Sequence, residues 1–156
     1  MRAPSLYSHF ESKNAIYDAM FAESWRELVR AFQGSKFPAA PREGLLTEAQ
    51  VFFDFATADL ARHQLMNQRA LPDFEPSQAA YADSIVAYER LQESMSAKGV
   101  RRTADLDLWT ALLSGAVNQQ LANDPGGVRW RRQLPRLVDM FADEVGIPGP
   151  PLRRVK

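Results

Sequence analysis

The chain has 156 residues and a mass of 17.6 kDa, the length of one domain, and area scaling lets it bury about two-thirds of its unfolded surface. Hydrophobic residues at 46% and charged residues at 24% exclude global disorder, and the lack of cysteine excludes disulfide scaffolds, thiolate nucleophiles and cysteine-bound zinc. Nineteen basic and nineteen acidic residues cancel, so bulk charge gives no pull toward nucleic acid and any DNA-binding function must rest on a motif.

In chain order, Ser12 reads as an N-cap, and Ile16, Met20, Phe21, Trp25, Leu28, Val29 and Phe32 recur at helical spacing up to Gly34. Residues 34–43 read as a loop in which Pro38 and Pro41 block a helix. A second apolar stripe runs through Leu45, Leu46, Ala49, Phe52, Phe53, Ala56 and Leu60. A short segment from His63 to Arg69 and a break at Leu71-Pro-Asp-Phe-Glu-Pro76 follow. Ser77 caps a long helix carrying Tyr81, Ile85, Tyr88, Leu91 and Met95, closed by Gly99. The next helix spans about Thr103 to Asn123 and stops at Asp124-Pro-Gly-Gly127. The last begins near Val128, with a kink or restart at Pro135, and carries Trp130, Leu134, Leu137, Val138, Phe141 and Val145. Period-2 alternation, hairpin turn pairs and long repeats are absent, so the expected fold class is all-α. No apolar run approaches the roughly eighteen residues of a membrane span, and the N-terminus has no signal-peptide pattern. The expectation is a soluble cytoplasmic protein without a membrane partner.

The first fourteen residues, Met1-Arg-Ala-Pro-Ser-Leu-Tyr-Ser-His-Phe-Glu-Ser-Lys-Asn14, carry the most information. A short helix ending in Leu-Tyr-x-His-Phe, a two-residue turn and a lysine opening a long helix resemble the tetracycline-repressor (TetR) family. There this stretch is the recognition helix of a helix-turn-helix and the start of the next helix. Leu71-Pro-Asp-Phe-Glu-Pro-Ser77 and Gln119-Gln-Leu-Ala-Asn-Asp-Pro-Gly-Gly127, followed by Trp130, look like the ligand-binding domain of actinobacterial-type members. The resemblance implies that Arg2, Ala3, Pro4 and Ser5 face the major groove of operator DNA and that Tyr7 and His9 donate to phosphates. Lys13 adds a charge at the next helix start, while Leu6 and Phe10 point inward. It also implies a homodimer that answers to a small-molecule effector, as a repressor. The family places two helices before the recognition helix, so the chain resembles a regulator written without its first two helices. The implied organisation is a remnant of the DNA-binding domain over 1–33, a ligand-binding and dimerisation domain over 34–148, and a tail over 149–156.

The catalytic inventory is thin. Histidine occurs only at His9 and His63, on different expected units, and there is no Gly-rich phosphate loop, HExxH or GxSxG motif. Asp105/Asp107 and Asp143/Glu144 do not share a helical face. Arg129, Arg131 and Arg132 around Trp130 read as a solvated face. No enzyme, cofactor or metal is expected. An effector pocket is expected from the aromatic and methionine surplus at Phe52, Phe53, Phe55, Met66, Tyr81, Tyr88 and Trp109, with His63, Asn118 and Gln119 as its polar groups. Dimerisation is expected through the last two long helices. Leu106, Trp109, Leu113 and Val117 form one stripe, Leu108, Leu112 and Ala116 another, and Ser114, Gly115 and Ala116 permit close approach. The alternative function is a DNA-free helical ligand-binding or interaction module.

Overall fold

The computed structural model describes residues 10–152, which form an all-α fold of six α-helices and a short 3-10 turn. Helix α1 spans Lys13–Gln33, α2 Pro41–Ala58, α3 Leu60–Asn67, α4 Gln78–Ala97, α5 Thr103–Asn123 and α6 Leu134–Val145. Their boundaries follow from local chemistry. The hydroxyls of Ser12 and Ser77 accept the Ala15 and Ala80 N–H groups at 3.1 Å, and the Asp59 carboxylate accepts that of Arg62 at 2.9 Å. Pro41 does not block a helix but opens α2, where its fixed φ fits and its missing N–H costs nothing. Gly44 follows because a Cβ there would press on the Pro38 carbonyl. Helix α4 ends in a Schellman motif: Gly99 takes a φ of +89°, and the N–H groups of Gly99 and Val100 reach the Ser96 and Met95 carbonyls.

The helix expected from near Val128 with a kink or restart at Pro135 is a 3-10 turn, Arg131–Gln133, followed by α6 with Pro135 in its first turn. Proline is tolerated there because first-turn N–H groups have no helical acceptor. Trp130 therefore precedes the helix, packed on the core.

Packing divides the hydrophobic residues in two. The larger cluster joins α2, α5, α6 and the end of α4, through Leu45, Phe53, Met95, Trp109, Leu134 and Phe141. Trp109 and Phe141 meet ring to ring at 4.9 Å. The smaller cluster joins α1 to the start of α4 through Phe21, Ala22 and Ala80, with Trp25, Leu65 and Phe74 at its edge. Helix α4 packs chiefly along α1 and makes no comparable contact with α5, while α2 packs on α5 and α6.

A buried arginine ties the C-terminal turn to this frame. Arg42, in the first turn of α2, donates through Nε and Nη2 to the Ile147 carbonyl at 3.1 and 3.0 Å, and Nη2 also reaches Asp143 at 2.6 Å. Asp139 accepts the Leu152 N–H at 3.0 Å. Arg42 thus meets a carbonyl and a carboxylate at once through its planar fork, which a lysine cannot reproduce.

Candidate functional site

Between the two clusters lies a cavity of about 420 Å³, within the size range of small-molecule sites. Helices α1, α2, α4 and α5 wall it. Six aromatic side chains line it: Trp25 and Phe32 of α1, Phe37 of the following loop, Phe52 of α2, Tyr88 of α4 and Trp109 of α5. Leu28, Val29, Leu91 and Leu113 complete the apolar wall. Helix α4 packs along α1 and α5 along α2, and the cavity lies where α4 and α5 make little contact with each other.

Polar groups also enter this wall, and Trp25, one of its rings, carries a buried Nε1–H with no hydrogen-bond partner among the described residues. Glu48 of α2 lines the cavity beside Ser94 of α4, and its side chain is 14% exposed. Its Oε1 accepts from Lys98 Nζ at 2.7 Å and from Ser94 Oγ at 2.6 Å, and Lys98 also donates to Ser94. Both bonds use Oε1. The second carboxylate oxygen, Oε2, has no hydrogen-bond partner among the described residues and is not closed off from solvent. Arg90 and Glu93 are exposed residues of the same wall, and Asn67, Ser84, Thr110 and Ser114 add neutral polar groups.

Of the residues expected to form the pocket, Phe52, Tyr88 and Trp109 come together on its wall. The others lie elsewhere. Phe53 is in the larger core cluster. Phe55 carries the Arg62 guanidinium 3.7 Å above its ring. Met66 is buried in α3, and Tyr81 is exposed, stacked on Phe21. His63, 2% exposed, is committed to two amides: its Nε2 lies 3.1 Å from Asn118 Oδ1 and its Nδ1 3.2 Å from Asn67 Nδ2. The amide nitrogen of Asn67 can only donate, so this network makes Nε2 the protonated nitrogen, donating to Asn118. Asn67 joins this pair to the cavity wall. Gln119 is exposed and accepts from Asn123.

Sequence reasoning missed Glu48, Ser94 and the whole α1 wall. The stripe Trp25, Leu28, Val29, Phe32 was legible, but the spacing of a helix does not say whether its apolar face meets a neighbour or a void. Of the Gln119-Gln120 pair in the stretch that carries the resemblance, Gln120 serves the backbone. Gln120 is buried, accepts the Trp130 N–H at 2.9 Å and donates to Asp124. Asp124 in turn accepts the Arg129 N–H at 2.9 Å, and that bond, with the one from Gln120, holds its carboxyl below the ordinary aspartate range.

Of the expected DNA contacts, Arg2, Ala3, Pro4, Ser5, Tyr7 and His9 lie outside the described residues. Lys13 is exposed at the start of α1, its Nζ 5.5 Å from the centre of the Tyr17 ring. The basic patch around Trp130 is partly spoken for: Arg131 forms a two-bond pair with Asp54 at 2.7 and 2.8 Å. Among the described residues, no group of three His, Asp or Glu side chains is placed to hold a metal ion, and no helix is long and apolar enough to cross a membrane. No family model, curated protein or solved structure matches the chain.

The two stripes expected on α5 separate differently from expectation. Leu106, Trp109, Leu113 and Val117 are buried, and so is Ala116. Ala116 sits three residues from Leu113 and seven from Trp109, which turns it into the core. The outward face is Leu108, Ala111 and Gly115, with Leu108 40% exposed. On α6, Leu134, Val138 and Phe141 are internal, Leu137 and Val145 are half-buried, and Met140 is 62% exposed.

Proposed function

We propose that the protein is a ligand-responsive, DNA-binding transcriptional regulator of TetR type, a repressor released from its operator when a small molecule fills the cavity. It works as a homodimer in the cytoplasm and catalyses no reaction. The observation that carries the reading is the place of α1. The helix that supplies Trp25, Leu28, Val29 and Phe32 to the cavity wall begins at Lys13, the last residue of the Ser5-Leu6-Tyr7-x-His9-Phe10-x-x-Lys13 pattern. A ligand that shifts α1 against α5 therefore acts on the segment the resemblance assigns to the major groove. In a dimer, half-sites lie about 34 Å or a multiple apart, so a displacement of a few ångströms at each protomer changes the fit. The outward residues Leu108, Ala111, Gly115 and Met140 on the last two long helices are the surface such a dimer would cover.

The test is selection from a random double-stranded DNA pool, using the full chain. Enrichment of a two-fold symmetric site supports the reading. A pool that stays unenriched while the protein binds cavity ligands overturns it in favour of the DNA-free ligand-binding module.

A further inference from the structure

The cavity wall is chemically selective, and resting on the ligand-responsive reading above, we propose that it takes a flat, neutral aromatic ligand carrying a hydroxyl donor, which meets Glu48 Oε2. Six aromatic side chains supply faces and edges for a planar ring system, which such residues bind by offset stacking and edge contact. Glu48 stands in this apolar lining, and its Oε2 has no protein partner among the described residues. An acceptor that a bound ligand cuts off from water favours a ligand that brings a donor and penalises one that does not.

The charge of the ligand follows from what already holds Glu48. Lys98 lies 2.7 Å from Oε1, with a side chain only 12% exposed, so the carboxylate is neutralised by the protein itself. A cationic ligand at Oε2 would stand close to the Lys98 ammonium. An anionic one would meet a carboxylate that can only accept. Arg90 and Glu93, the two other charged residues of the wall, are exposed and of opposite sign, so they add no net preference. A hydroxyl group satisfies Oε2 without disturbing the Glu48–Lys98 pair.

Three probes of one shape separate these cases: 1-pyrenemethanol, 1-pyrenecarboxylate and 1-pyrenemethylammonium. Binding is read as energy transfer to pyrene from the three tryptophans, two of which, Trp25 and Trp109, line the cavity. The neutral alcohol is expected to bind about tenfold more tightly than either charged probe, the ratio that one hydrogen bond to a charged group supports. Two substitutions then move the preference in opposite directions. Glu48→Gln removes the repulsion and leaves Lys98 unpaired, so the carboxylate probe gains about tenfold. Lys98→Met leaves Glu48 without its cation, so the ammonium probe gains instead. A merely structural role for the pair would weaken all three probes alike. Equal binding of the three probes to the unsubstituted protein, no binding of any, or preferences unchanged in both variants would overturn the proposal. None of these results involves DNA, so they leave the operator selection to be judged separately.

Discussion

At the scale of single residues, the two N-terminal features of α1 have different standing. Ser12 is accounted for by its cap, whereas Lys13 is exposed with no carboxylate partner among the described residues. If Lys13 touches a phosphate in each protomer of an operator complex, Lys13→Ala reduces the slope of log K against log salt by roughly two, at about 0.9 per phosphate. An unchanged slope removes it from the DNA contacts. Asp124 offers a different kind of check. Its carboxyl is held low chiefly by the Arg129 N–H and then by the Gln120 amide. The unfolded chain therefore binds this proton at a higher pH than the folded chain does. The contribution to stability is present above the ordinary aspartate value, about 3.9, and is lost as pH falls through the lower folded-state value. Urea midpoints measured on the acid side should fall less steeply with pH in Asp124→Asn than in the unsubstituted protein. Gln120→Ala takes the acceptor from the part-buried backbone N–H of Trp130 as well, and should lower stability by about 1–3 kcal/mol at neutral pH.

At the scale of elements, most of the helix plan was legible because it is written in local chemistry. Ser12, Ser77, Gly99 and Asp124-Pro-Gly-Gly127 act within one turn of where they stand, and each marks a helix end. Pro135 marked the restart at α6 for the same reason. What a periodic stripe does not encode is which neighbour it meets. Trp25 and Phe32 face a cavity, Phe53 and Phe141 a packed core, and all four read alike in the sequence. His63 and Asn118 were picked out as polar residues among apolar ones. They proved to satisfy one another, since a buried ring nitrogen needs a partner wherever it lies. Glu48 and Lys98 are far apart in the chain, and only the packing of α2 against the end of α4 brings them together. Helix α5 carries a direct test of its outer face. A Cβ on Gly115 meets nothing within 4 Å in the single chain. Gly115→Ala should therefore raise the stability of an isolated protomer by about 0.5–1 kcal/mol, as alanine does in helix interiors. If a second copy packs closely on this face, the same substitution weakens the dimer instead, and the concentration dependence of the melting temperature separates the two.

At the scale of the whole molecule, the arrangement of helices puts a cavity between a core that faces the proposed dimer surface and a helix that leads to the proposed DNA-binding segment. The dimer itself is tested by sedimentation at micromolar protein. A mass near twice 17.6 kDa is expected, falling to that of one chain in Leu108→Glu/Met140→Glu, since both side chains point outward and neither supports the core. The composition and the residue patterns were enough for the fold class. They were not enough for the cavity, which is a property of how α4 is held away from α5. The central claim is that filling this cavity changes the fit to DNA. The most direct measurement is the affinity of the full chain for a selected operator labelled with a fluorophore, read by anisotropy with and without saturating 1-pyrenemethanol. Occupancy is followed in the same samples by energy transfer from tryptophan to pyrene. The account predicts that operator Kd rises by roughly 5–150-fold when the cavity is filled, the range of ordinary allosteric coupling. An operator Kd that stays the same while the cavity is demonstrably occupied would contradict it.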